Sequence, residues 1–302
     1  NLSPPGGGMR DHLQRPDAPA SGRFLSPETA YLQAMRLRLA TWNINSVRPR
    51  GELIGRMVDE IAPDVLCLQE IKCQTAEFPT RMFEDLGFNH FRIAGQKGWH
   101  GVAIASRYPI EDTAPLDVCR EGHARCVGAR VAGVDIHNFY IPAGGDVPDR
   151  ALNKKFDHKL DFYETLTAAL AKRDPRAPLV VTGDLNVAPG EFDVWNHRYM
   201  SKIVSHTPVE IEAFRALEAS LGFTNLMREA VPEPEKLASW WSYRAADFRQ
   251  SNRGLLLDHI LVTPGLRDAA FHTGKVVAKI HDDVRGWDKP SDHAPVTADF
   301  MI

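Results

Sequence analysis

Four short stretches place oxygen-bearing and basic side chains at the ends of apolar runs. Gly183-Asp184-Leu185-Asn186 closes the run Leu179-Val180-Val181-Thr182, and Ser291-Asp292-His293 stands just before the strand-like segment Val296 to Phe300. Trp42-Asn43-Ile44-Asn45 and Gln69-Glu70-Ile71-Lys72 lie beside two further runs of the same kind. Carboxylates, carboxamides and one imidazole beside four separate strands are the parts of a metal-dependent phosphoesterase site. They offer hard oxygen ligands to a cation that keeps several of its waters, a carboxylate to take a proton from water, and donors for a phosphoryl oxygen.

Taken singly, each residue also has a plainer reading. Glu70 after an apolar strand either caps the next turn or points into a site, and Asn43 and Asn45 either serve a metal and its waters or form turns. Gly183 permits close approach of backbone, Asp184 can accept a proton, and Asn186 can donate to a phosphate oxygen or hold the base. The same tetrapeptide could be an Asx-turn, although Pro189-Gly190 already supplies a turn nearby. An ordinary aspartate, with a pKa near ~3.9, is a feeble base, so Asp184 needs acidic neighbours that raise it. Asp258 and His293 suggest a pair in which the carboxylate fixes the imidazole tautomer and favours its protonated form. Asp292 can then serve the metal directly or through water. Tyr140, near the close of the strand His137 to Ile141, is either a hydroxyl donor or a core ring with a wet tip. The reaction these groups could run is in-line attack of water on a phosphodiester, which needs accelerations above ~10¹⁰ and so the whole cluster at once.

Such a cluster needs a scaffold that gathers distant strand ends. Residues 37–45, 65–70, 101–106, 126–131, 134–141, 179–182, 257–263, 276–280 and 296–300 read as strands by alternation or continuous apolar character, as does a segment near Trp240 to Arg244. Residues 52–61 read as a helix ended by Pro63, and Phe156, Leu160, Tyr163, Leu166 and Leu170 recur at helical spacing over 154–172. A further helix is expected over 209–221. This order predicts an α/β fold of two stacked mixed sheets with helices outside, its strand ends collected at one rim. Both halves end a strand in an acid on this reading, Glu70 and Asp184 in one, Asp258 and Asp292 in the other.

The chain has 302 residues, 43% hydrophobic and 25% charged, which excludes a disordered or fibrous protein and allows a large core. No apolar run approaches the roughly 18 residues that cross a bilayer, and no secretory signal is visible, so an intracellular, cytoplasmic protein without a membrane is expected. Residues 1–34, rich in Pro and Gly, read as a flexible extension, and 35–302 as the catalytic domain. The four cysteines, Cys67, Cys73, Cys119 and Cys126, form no CxxC pair, which argues against disulfides and zinc. A net charge of −3 gives no global attraction to nucleic acid, so any DNA contact must use a local basic face. Lys97, Arg253 and Lys289 lie in loops near the presumed rim and either meet phosphates or are plain solvated charge.

With these motifs assembled, the chain closely resembles the exonuclease III family of apurinic/apyrimidinic endonucleases, within the endonuclease/exonuclease/phosphatase superfamily. The resemblance covers residues 36–302 and is also carried by Gly95 to Ile104, Tyr140-Ile141-Pro142, Asn252-Arg253-Gly254 through Asp258, and Ser291 to Val296. It implies a four-layer α/β/β/α sandwich, Mg²⁺ or Mn²⁺ as cofactor, and a monomer acting on double-stranded DNA with abasic sites or 3′ ends. The implied activities are cleavage 5′ to an abasic site in base excision repair, 3′-to-5′ exonuclease, and 3′-phosphatase or phosphodiesterase. Carried over by position, Glu70 is a metal ligand with Asn43 and Asp292, supported by Asn45 and Lys72. Asp184 is the water-activating base, Asn186 and Tyr140 contact the phosphate, and Asp258 pairs with His293. Trp240, Trp241, Leu255 and Leu257 resemble the pocket for a base-less sugar, with Arg253 and Lys97 toward the DNA. One departure stands out: relatives often carry a polar amide where this chain has Ala143, followed by Gly144-Gly145-Asp146. Two rivals remain, a superfamily phosphoesterase acting on a lipid or inositol phosphate and a catalytically inactive DNA-binding member.

Overall fold

Val65 to Gln69 and Leu179 to Asp184 are buried at every position, as befits strands covered on both faces. In the computed structural model, which describes residues 35–244, 247–271 and 275–302, they lie centrally in two six-stranded mixed sheets. The expected extension over 1–34 falls outside the described residues. Numbered along the chain, the strands are β1 (Arg36–Asn43), β2 (Val65–Gln69), β3 (His90–Ala94), β4 (Val102–Ser106), β5 (Ile110–Glu111), β6 (Cys126–Val131), β7 (Val134–Tyr140), β8 (Leu179–Asp184), β9 (Thr224–Asn225), β10 (Asp258–Val262), β11 (Val277–Ile280) and β12 (Val296–Met301). One sheet runs β11-β12-β1-β2-β4-β3 and the other β5-β6-β7-β8-β10-β9. Within each, one central pair is parallel, β1 with β2 and β7 with β8, and the remaining pairs are antiparallel.

Alternation along the strands divides the core into layers. Leu37, Leu39, Val65 and Cys67 face Ile136, Val180, Ile260 and Val262 across the sandwich. The intervening residues Ala40, Trp42, Leu66 and Leu68 turn outward onto α1 (Gly51–Ile61), whose buried face is Leu53, Ile54, Met57, Val58 and Ile61. A short α2 (Thr80–Asp85) adds Phe83 to this layer. On the far side Phe139, Leu179 and Val181 meet Phe162, Leu166 and Leu170 of α3 (Lys154–Leu170), and Phe214 and Leu217 of a helix over Pro208–Leu221. The architecture is therefore the expected α/β/β/α sandwich. Among the described residues no helix is long and apolar enough to cross a membrane.

Toward one end the rows between the sheets turn from apolar to polar. On β1 the row reads Leu37, Leu39, Thr41, Asn43; on β7 Ile136, Asn138, Tyr140; on β8 Val180, Thr182, Asp184. Gln69 closes the row of β2 by donating to Thr41 Oγ1 (2.9 Å) and Asn138 Oδ1 (2.6 Å), while Asn138 donates to the carbonyls of Leu68 and Ala103 (both 2.9 Å). These amides are buried and tie the two sheets together through the Gln69 Nε2 and Asn138 side-chain bonds, with Gln69 Oε1 left without a partner. Beyond this polar belt lies the rim.

Two readings of the sequence are corrected, and one edge strand is added. The segment near Trp240 to Arg244 is not a strand: Trp240 is pinned by single bridges to Leu255 and His293, between loops rather than within a sheet. The exposed edge strand β3, whose residues are all half-buried, was not foreseen because its pattern His-Phe-Arg-Ile-Ala is too short and mixed to declare itself. The acids also divide by sheet and not by half. Glu70 follows β2 and Asp292 precedes β12 in one sheet, whereas Asp184 ends β8 and Asp258 begins β10 in the other.

Gly183 shows how closely β8 is held. Its φ is +129°, and a Cβ there would lie 2.0 Å from the Phe139 carbonyl oxygen of β7. Gly183→Ala should lose about 3 kcal/mol through overpacking and backbone strain, read as a lowered urea midpoint. An unchanged midpoint would show that β7 and β8 can part without cost.

Candidate active site

The register of β8 sets Asp184 opposite Tyr140 of β7 and Asp258 of β10, so three functional side chains arise from adjacent rungs. β1 packs over β8, and Asn43 from its end donates through Nδ2 to both Glu70 Oε1 (3.0 Å) and Asp184 Oδ2 (2.9 Å). Asn43 Oδ1 is occupied by the Asn45 amide (3.1 Å). Asn43 therefore orients two carboxylates and has its own oxygen engaged. Lys72 Nζ lies 2.8 Å from Glu70 Oε2 and donates to Asn45 Oδ1 (2.6 Å); Asn45 Nδ2 donates to Asp292 Oδ1 (3.1 Å) and Trp240 Nε1 to Asp292 Oδ2 (3.0 Å). Asn45, Glu70, Lys72 and Asn186 all take left-handed backbone, with φ between 47° and 55°. Non-glycine residues bear that strain where the surroundings impose it, commonly at functional sites.

Behind these, His293 Nδ1 is 2.8 Å from Asp258 Oδ2, which also accepts from Ser239 Oγ (2.6 Å). His293 Nε2 faces Asp184 Oδ2 at 3.7 Å. Ser291 Oγ donates to the Asn43 carbonyl (2.6 Å) and Trp42 Nε1 to the His293 carbonyl (3.0 Å), fixing the Ser291-Asp292-His293 loop to β1.

Electrostatics separate the acids. Burial works to raise Glu70, but hydrogen bonds from Asn43 and Lys72 hold it below the usual glutamate range. Asp292 is likewise lowered: burial opposes, and His293, Trp240 and Asn45 prevail. Asp184 is raised to about 7, chiefly by burial, with Asp258 and Glu70 adding and His293 and Asn43 opposing. The crowding of acids foreseen from sequence is thus the lesser cause. Burial would lower His293, but Asp258 and Asp184 raise it to about 10.

A cavity of about 720 Å³ opens onto Glu70, Tyr140, Asp184, Asn186, Asp292 and His293. Its other wall is apolar, lined by Met200, Ile203, Val204, Leu255 and Leu257 together with Trp195 and Trp240. Arg253 lies over the Trp195 ring at 4.9 Å and lines the cavity. Ala143 and Asp146 are at the same mouth.

Most of the sequence-assigned residues meet here, with two exceptions. Trp241 does not line this cavity: it is buried against Phe248 and lines a separate pocket with Val194 and Gly254. Lys97 is exposed and does not line the cavity; its charge helps to hold Glu77 below the usual glutamate range. Sequence reasoning missed Ser239 as the third member behind His293, and the apolar wall supplied between Trp195 and Val204, which has no periodicity to show it. It also missed Lys159, fully buried with Glu210, which donates to the Asn186 carbonyl (2.7 Å). The available signal was a lysine within the apolar stripe of α3.

As to a metal, Glu70 and Asp292 are ionised, face the cavity and offer only oxygen, which suits a hard divalent cation. Asp184, Asp258 and His293 also bring ligand atoms within 4.8 Å of one another. There, however, the imidazole Nδ1 is taken by Asp258, and Asp258 does not reach the cavity. The donor set that fits is therefore the Glu70 and Asp292 side.

The model of the Endonuclease/Exonuclease/phosphatase family matches residues 40–293. The chain belongs to this family. It is 31% identical to an exodeoxyribonuclease III of Haemophilus influenzae over 278 residues, covering 87% of this chain and 100% of that one. Among solved structures, an AP endonuclease from Archaeoglobus fulgidus superposes with a TM-score of 0.80 at 32% identity, covering 88% and 100% of the two chains. A 3′ phosphatase from Neisseria bound to a product DNA hairpin gives 0.79 at 31% identity over 87% and 99%.

The His293–Asp258 pair has a measurable consequence. A histidine raised from about 6.5 when unfolded to about 10 when folded contributes stability that is complete below pH ~6.5 and lost as pH rises through 10. In metal-free protein the His293 ring resonances should titrate near 10, and in Asp258→Asn well below that. A midpoint near 6.5 in the unmutated protein would deny the pair its charge.

Proposed function

We propose that this protein is a divalent-metal-dependent DNA-repair nuclease. It cleaves the phosphodiester 5′ to abasic sites and also acts as a 3′-to-5′ exonuclease and 3′-phosphatase or phosphodiesterase on double-stranded DNA. The observation that carries this reading is the meeting of Glu70, Tyr140, Asp184, Asn186, Asp292 and His293 at one cavity with an apolar recess beside them, in a chain whose relatives bear those names. Residues 35–302 form the catalytic domain, a monomer acting in the cytoplasm with DNA as its partner.

Glu70 and Asp292 would hold the ion, Mg²⁺ or Mn²⁺, with Lys72 and Asn45 fixing their carboxylates and Asn43 orienting Glu70 against Asp184. The bound ion supplies positive charge for the phosphoryl oxygens as negative charge develops. Asp184, raised to about 7 by burial, is matched to accept a proton from attacking water near neutrality. Its Oδ1 accepts from the Asn186 amide (3.1 Å), and Asn186 Nδ2 donates to the Ile141 carbonyl (2.9 Å), so both side chains are held before substrate arrives. His293, kept cationic by Asp258, sits 3.7 Å from Asp184 and faces a phosphoryl oxygen. Tyr140 adds a hydroxyl donor; burial raises it well above the usual phenol value, so it keeps its proton.

Trp240, Leu255 and Leu257 form the recess for a base-less sugar, and Arg253 meets a flanking phosphate. A nucleotide without a base costs little to unstack, which favours abasic sites. Ala143 at the mouth removes one amide contact and shifts the balance among the activities. The lipid-phosphate reading lacks a comparable feature, since the recess is rimmed by Trp240 and Arg253.

A duplex with one tetrahydrofuran abasic mimic should be incised in Mg²⁺ or Mn²⁺ and left intact in EDTA. A phosphoinositide panel run beside it should show no turnover. Lipid hydrolysis without DNA incision, or incision without metal, would overturn the proposal. Asp184→Asn should lower the incision rate roughly 10³-fold or more while abasic DNA is still bound; near-normal turnover would remove its assignment as base.

A further inference from the structure

We propose that Glu121, His123 and His158 form a second metal site, for a borderline transition-metal ion of the Zn²⁺ class, outside the catalytic cavity. Glu121 and His123 stand in the loop between β5 and β6, and His158 lies in the first turns of α3. None of the three lines the cavity described above.

Glu121 Oε2 is 3.5 Å from His123 Nδ1 and 3.5 Å from His158 Nδ1, and the three ligand atoms lie within 4.8 Å of one another. Bonds of about 2.0–2.2 Å to zinc set neighbouring ligand atoms of a tetrahedron roughly 3.3–3.6 Å apart, so two of the three edges need no movement. A turn closed from Gly122 N to the Cys119 carbonyl (2.9 Å) brings the loop residues together. His123 Nδ1 is buried without a hydrogen-bond partner, so its lone pair is free to meet a cation. His158 Nε2 is 3.4 Å from Cys119 Sγ. With Nε2–H given to sulfur, Nδ1 presents its lone pair to the Glu121 carboxylate, and a cation between them relieves that opposition. A ligating histidine anchored through its other nitrogen is the usual arrangement.

Two imidazoles and one carboxylate select a borderline ion over Mg²⁺ or Ca²⁺. The Glu121 and His123 side chains are 44% and 31% exposed, which gives the ion a way in and room for water to complete its shell. Binding would clamp this loop to α3. The loop continues into Ala124 and Arg125, whose carbonyls accept from Gly101 N (2.9 Å) and Tyr140 N (2.8 Å), so the clamp braces the strand end that presents Tyr140.

The test uses the full chain, freed of metal and held in millimolar Mg²⁺ to occupy the oxygen site. Zn²⁺ is titrated against a chromophoric chelator, and Co²⁺ uptake is followed by visible absorption. About one equivalent of Zn²⁺ should bind, with Co²⁺ bands of a four- or five-coordinate nitrogen and oxygen site. Glu121→Gln and His123→Gln should each weaken uptake roughly tenfold or more with unchanged circular dichroism, and Asp184→Asn should bind as the unmutated chain does. No Zn²⁺ uptake, uptake unaffected by both loop variants, or uptake lost in Asp184→Asn would overturn the proposal.

Discussion

The pairing of β8 with β7 on one side and β10 on the other places Asp184 level with Tyr140 and Asp258, and the rest of the site is built outward from that rung. Side chains alternate along a strand, so a slip of one residue would turn Asp184 out of the sandwich and Gly183 into it. Gly183 opposes such a slip directly, because its backbone touches that of Phe139 where no side chain fits. Asn43, from the facing sheet, then donates across the gap to Asp184 as well as to its own sheet's Glu70, making the inter-sheet spacing part of the site geometry.

Four carboxylates at one rim would repel one another if all were treated alike. They are not: Glu70 and Asp292 accept hydrogen bonds that hold them ionised, Asp258 is hydrogen-bonded to His293, and Asp184 is raised to about 7 chiefly by burial. Environment thus divides identical chemistry into anions that suit a cation, an anchor for the imidazole, and a base.

Support from outside the rim is also electrostatic. Lys159 and Glu210 are fully buried, and Glu210 accepts from Ser205 N, Thr207 N and Thr207 Oγ1 while Lys159 donates to the Asn186 carbonyl. Such a pair adds little net stability compared with apolar residues, but removing one partner leaves a buried charge and is severely destabilising. Its effect here is positional, holding the turn after Asp184 between two helices.

The strands with long apolar or alternating patterns, the three longest helices and the acidic or amide residues at strand ends were legible in the chain itself, because alternation and helical spacing are local properties. Which of Trp240 and Trp241 faces the cavity, that Ser239 stands behind Asp258, and that Lys97 lies away from the cavity were settled by folding. These depend on bridges between segments far apart in sequence, such as Trp240 with Leu255 and His293, and no local pattern encodes such a bridge. The separation of Asp184 from Glu70 and Asp292 in pKa has the same origin, since burial and donors from neighbouring strands exist only once the two sheets have met.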